Sequence, residues 1–139
     1  MIELTDEGIK GKMRSVEEKL EFKKQLEQRT ASFAVSVFKF LNALPVTVAS
    51  KVIAFQLGKS ASSIGANYRE ANRAESEDDF IHKIGLCLKE CAETVYWIEL
   101  LQGLHSEDAN CVRLKTECDE FVRIFQSIKR KMHERRTGK

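Results

Sequence analysis

Asp79 and His82 stand three residues apart, a separation that sets two ligands on one side of a helix. Helix bundles that hold a pair of iron ions use Glu-x-x-His on two helices, with further carboxylates projecting inward. This sequence has no Glu-x-x-His, and the Asp79/His82 pair occurs once, at a helix start. Cys87 and Cys91 lie one helical turn apart, and Cys111 and Cys118 lie two turns apart. Structural zinc favours short Cys-x-x-Cys knuckles. These cysteines instead fall on apolar helical positions, where a thiol behaves as a small hydrophobe. His82, His105 and His133 sit near helix ends or on polar faces, and no Gly-x-Ser-x-Gly elbow is present. Gly58-Lys59-Ser60 has the tail of a phosphate loop but lacks the earlier glycine and the strand before it. We expect no enzyme, no metal and no cofactor.

Binding chemistry has more to work with. Ser60, Ser63, Asn67 and Glu70 recur at intervals of three and four and share one helical face; Ser62, Arg69 and Arg73 share another. Asn67 and Glu70 border an apolar stripe, and buried polar groups must find partners. The set Ser60, Ser63, Asn67, Arg69 and Glu70 is therefore expected to form a polar network between helices or subunits, with Lys89 or Arg69 as partners for Glu70. A ligand pocket around Asn67 and Glu70 is the alternative. Net charge is only +2, yet the last eleven residues carry Lys129, Arg130, Lys131, Arg135, Arg136 and Lys139 against Glu134 alone. A second basic group begins with Lys10, Lys12 and Arg14 and continues with Lys19, Lys23 and Lys24. Blocks of this kind bind phosphate backbones. Lys10, Lys12, Lys23, Lys24, Lys129, Arg130 and Lys131 are the candidate nucleic-acid contacts.

The elements that must position these residues read as four helices. Leu20, Leu26, Phe33, Val37, Leu41 and Leu44 mark the inner face of a first helix over Val16 to Leu44, with Ala34 and Phe38 widening it. Pro45 ends it. The second runs from Val46 to Ala74, with Val48, Val52, Ile53, Leu57, Ala61, Ile64, Tyr68 and Ala71 inward. Gly58 and Gly65 each cost about 1 kcal/mol in a helix interior, so a neighbouring helix should approach closely there. Ser76 caps the third helix, Glu77 to Leu101, and Glu77, Asp78 and Asp79 suit its positive end. Phe80, Ile84, Cys87, Leu88, Cys91, Val95, Ile98 and Leu101 are its core stripe. Tyr96, Trp97 and Leu100 add apolar surface beyond one buried face, which motivates a subunit contact. Gly103 is the expected C-cap. Ser106 or Asp108 opens the fourth helix, which runs to Met132 with Cys111, Leu114, Cys118, Phe121, Val122, Phe125 and Ile128 inside.

With one Pro and seven Gly in 139 residues, 32% charged and 42% hydrophobic, this is the composition of one folded, helical domain. Residues 1–15 read as a flexible N-terminal segment, 16–133 as the bundle and 134–139 as a basic C-terminal tail. Short links make the helices sequential neighbours. The fold class is all-α, an antiparallel up-down-up-down four-helix bundle. The sequence has no apolar run of membrane-spanning length and no signal-peptide core, so we expect no membrane contact and a cytoplasmic location.

The stretch Ser60-Ala61-Ser62-Ser63-Ile64-Gly65-Ala66-Asn67-Tyr68-Arg69-Glu70-Ala71 resembles the central motif of the bacterial four-helix-bundle proteins related to 23S ribosomal RNA intervening-sequence proteins. Asp79-Phe80-Ile81-His82-Lys83-Ile84, Leu88-Lys89-Glu90 and Glu93-Thr94-Val95-Tyr96-Trp97-Ile98-Glu99-Leu100-Leu101 match its third helix, and the likeness covers about residues 25–130. The resemblance implies a homopentamer. Some relatives are encoded within insertions in ribosomal RNA genes; others are accessory proteins of diversity-generating retroelements, where a basic pentamer meets nucleic acid and reverse transcriptase. The expected function is a non-catalytic oligomer associating with RNA or DNA through basic faces. The alternative is a protein-interaction scaffold, docking a polymerase or ribosomal component, with no direct nucleic-acid contact.

Overall fold

The computed structural model describes residues 15–105 and 108–138. Among them every regular element is a helix: α1 Val16–Asn42, α2 Val48–Ala71, α3 Glu77–Leu104 and α4 Ala109–Thr137. Lys10, Lys12 and most of the 1–15 segment lie outside the described residues.

A polar side chain starts each helix by accepting from a backbone N–H that has no partner of its own in the first turn. Ser15 accepts from the Glu18 amide at 3.1 Å and Ser76 from the Asp79 amide at 3.0 Å. Thr47 and Ser50 reciprocate in a capping box, and Asp108 accepts from the Asn110 amide. The Ser76 cap is where the sequence puts it. The ends differ more. α1 stops two residues before Leu44, and α2 is shorter than the expected Val46–Ala74 at both ends. The Pro45 carbonyl accepts from Ser50 Oγ at 2.7 Å, so the capping turn occupies Thr47 and leaves Val46 in the link. Gly103 does not cap α3: it lies inside the helix, which ends at Leu104 and is capped by His105. Its φ is not positive; among the described residues only Gly138, which caps α4, is left-handed, at φ 74°. α4 runs five residues past Met132, so residues 134–137 are helix.

Phe22, Leu26, Phe33, Val37, Ile53, Leu57, Ile64, Ile84, Ile98, Leu101, Phe121 and Phe125 belong to one buried core, with Cys87, Cys91, Cys111 and Cys118 in it as free thiols. Four expected core residues are outside it: Leu20, Phe38, Val48 and Val52 are exposed. At 100° per residue, Val48 lies opposite Leu57 and Leu20 lies well off the line through Phe22 and Leu26. Phe22, Thr30, Phe40 and Ile124 fill the core instead.

α2 and α3 share the largest seam; α1 and α4 share the smallest. Thr94 donates to Ser60 at 2.9 Å across α2–α3, and the Cys87 thiol donates to the Ile64 carbonyl. The Cys118 thiol donates to the Cys91 carbonyl across α3–α4. Phe33 meets the edge of Phe121 across α1–α4, beside a two-point ion pair from Arg29 to Glu117 at 2.6 and 2.9 Å. Both glycines of α2 face α1, as the helix-interior cost anticipated. A Cβ on Gly58 would sit 2.9 Å from the Phe38 ring, and one on Gly65 would sit 2.9 Å from Thr30 Oγ1.

Candidate nucleic-acid interface

The polar set on α2 divides three ways. Ser60 reaches another helix through Thr94, and Arg69 approaches Glu27 of α1 at 4.0 Å. Ser63 and Asn67 bond back into their own helix, to the carbonyls of Lys59 and Ser63. Serine and asparagine do this readily within a helix, which removes the need for an outside partner. Glu70 is exposed in the single chain. A further inter-helix contact falls on Glu27, which accepts from Asn72 Nδ2 at 2.9 Å, while Thr30, wholly buried, donates within α1 to the Leu26 carbonyl. A Thr or Glu in an otherwise apolar stripe was the available signal.

The basic residues also divide. Lys129 and Arg130 line an open groove of about 450 Å³ between α3 and α4, together with His133 and Arg136. Ile81 and Leu88 form its apolar floor. Arg136 pairs with Asp78 at 2.6 Å, and Arg130 donates to Ser127 Oγ. The Arg136–Asp78 pair is solvent-exposed and contributes little to stability. Four cationic or titratable groups thus line one groove. Residues 126, 129/130, 133 and 136 follow helical spacing, which continuing α4 past Met132 would have made visible.

Lys23 and Lys24 are exposed on α1, away from that groove. Lys23 borders a second cavity, at the start of α1, together with Lys19. Lys131 is half-buried and does not line the α3–α4 groove. The seven candidate contacts therefore form no single surface. Two sit on the groove, two lie on α1, Lys131 stands apart, and Lys10 and Lys12 lie outside the described residues.

Lys83 holds the Asp79 carboxyl below its usual range by an i, i+4 contact at 3.1 Å. The Asp79/His82 pair thus has its carboxylate engaged by a lysine. Burial pushes the Cys87 thiol up to about 12 and raises Cys111. Cys91 is raised by its contact with the Cys118 thiol and by burial. Such thiols stay protonated and are poor metal ligands or nucleophiles. Among the described residues no three His, Cys, Asp or Glu side chains converge as a metal site, and no helix is long and apolar enough to cross a membrane.

Residues 16–127 match the family described as 23S rRNA-intervening sequence protein. The chain is also similar to a crystal structure of a protein of unknown function from the S23 ribosomal protein family of Bacteroides thetaiotaomicron VPI-5482. The two share 36% identity and a TM-score of 0.64, over 74% of this chain and 96% of that one. A comparison with curated proteins gives no match. With all but the first helical residues' lead-in and the end of α4 inside the matched span, the chain belongs to the 23S rRNA-intervening sequence protein family.

Proposed function

We propose that the protein is a non-catalytic cytoplasmic oligomer that associates with nucleic acid through the basic α3–α4 groove. The observation that carries this reading is the convergence of Lys129, Arg130, His133 and Arg136 on one groove, where Arg136 pairs with Asp78. The family's name, which refers to ribosomal RNA, points the same way. Lysine and arginine neutralise phosphates without reading bases, so binding would be salt-sensitive and tolerant of sequence. The test is a gel shift at low salt with structured RNA and with duplex DNA. A shift that weakens in Lys129→Glu/Arg136→Glu is expected; no shift of either probe by the wild-type chain would sink the reading.

The cross-helix pairs support an antiparallel, up-down-up-down order. As numbers rise along one helix they fall along the next: Glu27 with Asn72 and Thr30 with Gly65, then Ser60 with Thr94 and Ile64 with Cys87. In that order Phe38, Phe55, Tyr96 and Leu100, all exposed, gather at the end of the bundle remote from the basic groove. Such a patch marks an interaction surface. It favours self-assembly, a pentamer by the resemblance. It also favours the second reading, a scaffold for another protein, which predicts a pull-down that survives nuclease treatment.

A further inference from the structure

The first turn of α3 carries three acids in a row, Glu77, Asp78 and Asp79, and each is paired with a different cation. Asp79 pairs within the helix with Lys83 at 3.1 Å. Glu77 pairs with Arg135 at 3.5 Å, and Arg135 lines the cavity beside Lys19 and Lys23. Asp78 pairs with a residue of the basic groove: its carboxylate stands 2.6 Å from Arg136 Nη1. Asp78 lies three residues before Ile81, on the same side of α3, so it stands at one end of the groove whose floor Ile81 and Leu88 form. A guanidinium binds carboxylate and phosphate through the same planar set of N–H donors. Asp78 therefore takes the place on Arg136 that a phosphate oxygen would take. The helix does not depend on it: Ser76 caps α3, and Glu77 and Asp79 remain at its positive end. The Asp78 side chain is 78% exposed, and so exposed a pair opens readily.

We propose that Asp78 is an inbuilt competitor for phosphate, holding Arg136 until a polyanion displaces it. The inference rests on the nucleic-acid reading above and adds the regulation of that same groove. A weak, exposed pair sets a threshold rather than a block. A nucleic-acid strand presents several phosphates in a row. Once one is held at Lys129 or Arg130, the next is kept close to Arg136, and this high local concentration outcompetes a single carboxylate. Asp78 thus lowers the affinity of the groove for any one phosphate and leaves it open to a chain of them.

The test is a double-mutant cycle on the full chain, read by fluorescence anisotropy at low salt with the same structured RNA and duplex DNA. Asp78→Asn keeps the side chain's size and removes its charge. It should tighten binding about two- to fivefold, the range that an exposed ion pair spans. Glu77→Gln removes an equal charge one residue away, from a pair whose arginine does not line the groove, and should tighten binding less. In an Arg136→Gln background, Asp78→Asn should have no further effect. Equal tightening by Asp78→Asn and Glu77→Gln, or tightening that persists without Arg136, would assign the effect to overall charge and overturns the inference. An unchanged affinity in Asp78→Asn overturns it as well. If the wild-type chain binds and Lys129→Glu/Arg136→Glu weakens it, any of those results sinks this inference alone and the groove reading stands. If neither the wild-type chain nor Asp78→Asn binds, both fall. Asp78→Ser, which also suits a first helical turn, repeats the comparison should circular dichroism show Asp78→Asn unfolded.

Discussion

At Gly65 the backbone of α2 comes against Thr30, a wholly buried, β-branched side chain already donating to the Leu26 carbonyl. It cannot swing aside without breaking that bond. A helical Gly→Ala change gains about 1 kcal/mol of propensity, whereas overpacking a core costs about 1–3 kcal/mol. The cost should win at Gly65, lowering stability by about 1 kcal/mol. At Gly58 the opposing atom is the tip of a half-exposed Phe38 ring, which is free to move outward. Gly58→Ala should leave stability unchanged or raise it by up to about 1 kcal/mol. Urea denaturation of both variants checks this, and a shift of the same sign in both would refute the distinction. Glu90 gives a pH signature. Burial, then Glu93, pushes its carboxyl up. A carboxyl with a folded pKa above its unfolded one penalises the fold when charged, and the penalty fades as pH falls through the folded pKa. Glu90→Gln should therefore raise the Tm at neutral pH, and the difference should vanish in acid; a gap that widens on acidification contradicts the assignment.

Among the helices, the narrow α1–α4 seam depends most on individual contacts. Arg29 closes it with two hydrogen bonds to Glu117 and by lying 5.2 Å from the centre of the Phe121 ring. A planar fork makes both contacts at once and an ammonium does not. Arg29→Lys should cost about 1 kcal/mol, read from the urea midpoint, and a neutral result would show that the seam is held by Phe33 and Phe121 alone. Much of this level was legible in the sequence. Helix number, the Ser76 cap, the cysteine positions and the close approach at both α2 glycines follow from spacing. Helix phase was less so. Leu20 and Val48 are as apolar as the residues that displaced them, and composition does not say which strip of a wide apolar face turns inward. The candidate site was legible only in part. The cations of α4 were plain, but their gathering with His133 and Arg136 required the helix to continue past Met132. Glu70 is exposed in the single chain, where Ser63 and Asn67 bond within α2.

For the whole molecule, the basic groove and the cavity beside Lys19 and Lys23 both draw on the start of α3 and the end of α4, whereas Tyr96 and Leu100, exposed, lie in the last turns of α3. If the basic groove meets phosphate, each contact releases counterions, and the slope of log K against log salt is about −0.9 per phosphate on duplex DNA. Lys129→Gln together with Arg136→Gln should flatten that slope by about two. An unchanged slope would place the contacts elsewhere. The four thiols, all buried and none in a disulfide, have a use beyond packing. Each is silent to an alkylating reagent until its helix pair opens, so the native chain carries its own clock for local opening. Mass spectrometry of timed alkylation should show Cys111, near the start of α4, modified before Cys87, Cys91 and Cys118 in the bundle's interior. All four reacting together would mean that the molecule opens only as a whole.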